Sequence, residues 1–168
     1  MIEDRVSVPM ALCALVCLWS GPLAASNAED AWAFAVERCL LPQQNVEPVD
    51  TTGLTALPGP VRGMAPDAVA WRGEDPGLVL AVAGEGAAVG AECRVAFEGP
   101  PVEVRAFSAR FDDWAHRALT TGAYVLIERD PRHLESFEWR EPVLRVQLLL
   151  ADETGYAEFR AYEIDKEA

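Results

Sequence analysis

The order of apolar patterns along the chain predicts an α+β domain: two helices on a mostly antiparallel sheet of about six strands, in the order αβββ-αβββ. Three observations carry this. Apolar residues recur at helical spacing over 29–41 and again after Pro100-Pro101. Short apolar runs with strand-like spacing follow each of those stretches. Clusters of Gly, Pro, Asp and Glu separate the runs and mark the turns.

The first element is expected to be discarded. Residues 10–19, MALCALVCLW, form an unbroken apolar run, followed by Gly21-Pro22 and the small residues Ala24-Ala25-Ser26-Asn27-Ala28. A short apolar run, a helix breaker and small residues at −3 and −1 describe a secretory signal peptide. Ser26 and Ala28 fit that cleavage site, which makes residues 1–28 the signal and Glu29 the first mature residue. A cut after Ala25 is the alternative. Glu3 and Asp4 outnumber Arg5 where a positive segment is expected, and Met10 offers another start. An uncleaved anchor is the rival reading, but a spanning helix needs about 20 mostly apolar residues. Pro9 and Gly21-Pro22 leave too few between them. Cys13 and Cys17 then leave with the signal.

Residues 29–168 remain as a single domain of ordinary size. The whole chain carries a formal charge of −13, and removing Glu3, Asp4 and Arg5 leaves −12. Such a surface repels phosphate backbones and anionic lipid, so nucleic acid is excluded as a partner, and so is a membrane once the signal is cut. Of the basic residues after the signal only Lys166 is lysine, and no N-x-S/T sequon occurs.

Glu29 to Leu41 reads as a helix with Trp32, Ala35, Val36, Cys39 and Leu40 on one face, stopped by Pro42. Residues 42–67 hold five prolines and three glycines and read as irregular chain. Strands follow at 68–71, 78–83 and 92–97, the last placing Cys93, Val95 and Phe97 on one face. Both cysteines therefore point inward. An even pair in an exported chain reads as one disulfide, Cys39–Cys93, closing a loop worth about 4 kcal/mol. A thiol nucleophile is the rival, and would leave the other cysteine unpaired.

The stripe Val104, Phe107, Phe111, Trp114, Ala115 and Ala118 makes the clearest helix, with Gly122 at its C-terminal end. Strands are expected at 123–128, 143–150 and 156–164, with Asp152-Glu153-Thr154-Gly155 turning between the last two. Trp32, Trp71 and Trp114 fall on inward faces and read as core.

Chemistry is harder to find. The run GEGAAVG (84–90) resembles a dinucleotide loop but precedes a strand, whereas that loop needs a helix after it. A hairpin is the expected structure. Asp112 and His116 stand one helical turn apart and His133 is the other histidine. Two histidines and a carboxylate can bind metal, but an i,i+4 pair on a wet face is the simpler reading. Ser108 and His116 stand about 12 Å apart along the helix, too far for a nucleophile and its base. Glu135, Glu138 and Glu141 read as a solvated acidic loop. No metal, cofactor or catalytic residue is assigned.

The stretch 129–142 is a long connection rich in anchoring side chains: Arg132, His133, Phe137, Trp139 and Arg140. These five are the candidate partner-binding residues; the rival reading folds Phe137 and Trp139 back over the sheet edge.

The segments AFAVERCLL and ECRVAF resemble those of small exported proteins of alphaproteobacteria. The resemblance implies the compartment and a disulfide, and nothing about catalysis. The expected function is a periplasmic or secreted, non-enzymatic binding or inhibitory module, its partner a protein or small molecule and its oligomeric state open. A hydrolase built on Asp112 and His116 with His133 or the carboxylates of 135–141, or a structural component of the envelope, are the alternatives.

Overall fold

In a computed structural model, which describes residues 27–84, 91–137 and 142–164, Asn27 opens the first helix, α1 (Ala28–Ala35). Its side chain accepts a hydrogen bond from the Asp30 N–H at 2.8 Å, the expected role of an N-cap asparagine. Ala28 is already buried, and its N–H donates to the Glu103 carboxylate at 2.9 Å. A cut after Ala28 would remove the cap and a buried residue; a cut after Ala25 keeps both.

The helix does not stop at Pro42. A π-helical turn (Val36–Leu40) leads directly into α2 (Leu41–Asn45). The N–H of Leu41 reaches back five residues to the Val36 carbonyl, and Pro42 sits in the first turn of α2. A proline lacks the N–H that closes an α turn, and the wider turn relaxes the backbone where its ring must fit. The helix ends instead at Val46, held in the left-handed region at φ 57°.

The second helix expected from sequence, α3 (Pro101–Thr120), runs 20 residues from paired prolines suited to a first turn. It buries Val104, Phe107, Phe111, Ala115 and Ala118. Gly122, at φ +73°, ends it as expected, with the Ala123 N–H bonded to the Ala118 carbonyl.

Among the described residues the strands number eight rather than about six: β1 (Thr55–Leu57), β2 (Val69–Arg72), β3 (Leu78–Ala83), β4 (Glu92–Glu98), β5 (Tyr124–Ile127), β6 (Asp130–Ser136), β7 (Val143–Ala151) and β8 (Tyr156–Ile164). β1 lies inside the stretch read as irregular, and β6 inside the stretch read as a connection. All pair antiparallel in one sheet of order β1-β2-β3-β4-β8-β7-β6-β5. The chain is thus two helix-plus-four-strand halves, each strand set a meander, joined where β4 meets β8.

One face of the sheet carries the core. The register sets Cys93, Val95 and Phe97 of β4 opposite Ala161, Phe159 and Ala157 of β8. Phe97, Phe107, Phe111 and Phe159 are fully buried, and Trp32 of α1 meets Phe107 and Phe159 edge-on at 5.8 and 5.9 Å. Trp71 and Trp114 are half-buried against the same cluster. Cys39 and Cys93 form the disulfide, with Cα atoms 5.7 Å apart, and pin the π turn to β4. Both cysteines are wholly buried.

The turn between β7 and β8 is a short 3-10 turn (Asp152–Thr154) followed by Gly155 at φ +73°. A Cβ there would lie 2.3 Å from the Gly99 carbonyl oxygen, so the close approach requires glycine.

Candidate functional site

Period-two alternation that sends apolar residues to the helices sends a different set to the opposite face. On β4, β8, β7 and β6 the register aligns Arg94, Arg160, Gln147 and His133 in one row across four strands. The adjacent row is Glu92, Tyr162, Arg145 and Glu135. These side chains are half-buried, apart from Arg94, which is 9% exposed.

Their interactions fix them in place. Arg94 binds Glu92 at 2.6 Å, faces Glu158 at 3.8 Å, and donates to the Gly63 carbonyl at 2.5 Å. Arg160 and Tyr156 both donate to Glu158. Arg145 binds Glu135 at 3.1 Å. Arg94 and Arg160 stand directly opposite each other, an arrangement that repels unless carboxylates bracket it. Glu92 and Glu158 do so.

Two groups on this face have displaced protonation. Burial, and next to it the Arg145 guanidinium, holds the His133 imidazole below its ordinary value. The neutral ring lies 3.0 Å from the Tyr162 hydroxyl. Burial and the Glu158 carboxylate push the Tyr156 phenol well up, so it remains a donor.

The structure divides the residues that the sequence had grouped at 129–142. His133 and Glu135 point to the helix-free face; Arg132, Leu134 and Ser136 point to the other, where Leu134 and Ser136 are buried. Phe137 is 46% exposed and follows Ser136 at the same edge, its N–H bonded to the Ala123 carbonyl. Trp139, Arg140, Glu138 and Glu141 lie outside the described residues, as does 85–90 of the glycine run.

Arg132 instead reaches α3, meeting Asp112 with its Nε at 3.3 Å and its Nη2 at 3.4 Å. Asp112 therefore faces Arg132 across the helix–sheet boundary. His116 is exposed on the same side, in a groove with Asp112, Leu119, Asp130 and Arg132. The two histidines consequently stand on opposite faces of the sheet. Ser108, considered in the sequence only against His116, is buried. Among the described residues no three His, Cys, Asp or Glu side chains gather closely enough to hold a metal ion, and no helix is long and apolar enough to cross a membrane.

Set beside known protein families, curated proteins and solved structures, the chain matches none.

Proposed function

We propose that the protein is an exported, non-catalytic binding module that offers the helix-free face of its sheet to a protein partner. One observation carries the reading: a face of three arginines and three glutamates, paired among themselves, on a chain whose formal charge is −13. A balanced and preformed array loses little conformational freedom on docking, and does not repel an acidic partner as the rest of the surface would. Exposed Phe137, at the edge of this face, supplies the apolar anchor that such surfaces concentrate their affinity in.

Export is supported by the buried Cys39–Cys93 bond, since structural disulfides persist in oxidising compartments. The hydrolase alternative drew on the Asp112–His116 turn with His133 or the carboxylates of 135–141; His116 lies on the helix side while His133 and Glu135 lie on the helix-free face, which weighs against it.

The test is comparative capture from a periplasmic extract of the source cell. Phe137→Ala and Arg145→Ala should each lower capture of a saturable partner while leaving the melting temperature nearly unchanged. Arg117→Ala, on the helix side, should leave capture intact. Equal capture by all three variants would refute the assignment of this face.

A further inference from the structure

The helix-free face holds one side chain whose charge changes close to neutral pH, His133. The chain has two histidines, and the other, His116, lies on the helix side. The backbone is built to present His133. β5 pairs Ile127 with Asp130 and Leu126 with Leu134, so Pro131, Arg132 and His133 are extra residues on β6. Such a bulge bends its strand and re-aims a side chain. β7 lies between β6 and β8, yet His133 Nε2 stands 3.0 Å from the Tyr162 hydroxyl. The two side chains therefore meet above β7, where Arg145 is the register partner of Tyr162 and Gln147 that of His133.

Charged groups face the ring from each strand around it. β7 contributes Arg145, tied to Glu135 at 3.1 Å, and the uncharged Gln147. β6 contributes Glu135 and Asp130, and the turn before it Glu128. β8 contributes the Tyr162 phenol and, in the row of His133, Arg160, which Glu158 holds. Burial and Arg145 favour the neutral ring, against the carboxylates of Asp130, Glu128 and Glu135. Beside a neutral imidazole the phenol is the more acidic of the two groups, so its proton is the one shared.

We propose that the His133–Tyr162 bridge is an acid-operated switch of the helix-free face. With His133 neutral, Tyr162 donates to Nε2, and the arginines and glutamates of the face balance. A proton taken from solvent by Nε2 makes that nitrogen a donor. The Tyr162 oxygen becomes its acceptor, and the phenol proton turns outward without leaving the tyrosine. The face then carries one net positive charge and holds an acidic partner more tightly. That consequence rests on the docking function proposed above; the switch itself belongs to the free protein.

NMR of the full chain with isotope-labelled histidine and tyrosine tests it, from about pH 8 to about pH 4.5, on either side of an ordinary histidine. His116→Gln assigns the imidazole signals. His133 should carry its proton on Nδ1 at the alkaline end and bind a second one several-fold more weakly than an ordinary histidine. The Tyr162 ring shifts should follow the His133 midpoint, and stay flat over this range in His133→Gln. A proton on Nε2 at the alkaline end would overturn the switch. So would Tyr162 shifts that ignore the His133 midpoint or persist in His133→Gln, or a proton affinity at or above that of an ordinary histidine. Failure of the docking function shows instead as equal capture by the face variants, with these shifts unchanged.

Discussion

Replacing both bridged cysteines, as Cys39→Ala with Cys93→Ala, removes a covalent closure over a sequence separation of 54 residues. On the chain-entropy relation a loop of that size confers about 4 kcal/mol by restricting the unfolded chain. Unfolding a domain of this length carries an entropy of roughly 0.3 kcal/mol/K near its midpoint, so the loss corresponds to a fall of about 14 °C in Tm. The positions add a kinetic expectation. Both sulfur atoms are wholly buried beneath the π turn, so reductant reaches them only when that turn lifts from β4. Calorimetry of the wild type and the double variant, each with and without dithiothreitol, measures the effect. The reduced wild type should melt close to the variant, and the oxidised wild type well above both. Dithiothreitol should reduce the bond slowly in native protein at room temperature, and rapidly once the protein is denatured. A Tm difference under about 3 °C, or two thiols that titrate freely in the native protein, would refute the reasoning.

Other outcomes follow from single positions. Gly155→Ala should cost at least about 2 kcal/mol in chemical denaturation, from a left-handed backbone and a Cβ 2.3 Å from the Gly99 oxygen; an unchanged midpoint would contradict the turn. Because the folded His133 pKa lies below the unfolded one, its neutral form adds no penalty above about pH 6.5, and stability falls as pH drops through that value toward the folded pKa. His133→Asn should flatten that part of the stability–pH curve, which denaturation midpoints at a series of pH values would show. Asn27→Ala should cost about 1 kcal/mol as a lost helix cap. If the chain is exported and its leader removed as proposed, N-terminal sequencing should accordingly find Ser26 first, and Glu29 as the first residue would contradict the need for that cap.

The strongest periodic signals in the sequence translated directly into structure. The α3 stripe, the strand of 156–164 and the inward placement of both cysteines rest on apolar residues agreeing with one period, and the strand of 78–83 on an unbroken apolar run between turn residues. The strand β6 was hidden inside the stretch read as a connection, because only Leu134 among its inward residues is strongly apolar. Its alternation was nevertheless present, and it is what separates Arg132 from His133. The three residues of β1 give no period to detect. Pro42 misled because the rule that proline ends a helix assumes an α turn, and a π turn relaxes it. Ser108 was the least legible feature, since a small polar residue beside an apolar stripe does not show its burial until the helix is docked.

The meeting of β4 and β8 also governs the order in which the molecule can be completed. The residues of β1 to β7 all precede 156–164 in the chain, yet the pairing that unites the two meanders belongs to β8. Until it arrives, β4 and β7 each present an open edge, the kind that recruits strands from other chains. A nascent or truncated polypeptide lacking β8 is therefore two unconnected meanders and a hazard for aggregation. Strand β8 is thus the keystone of the sheet: the two meanders share no strand pairing until it is in place.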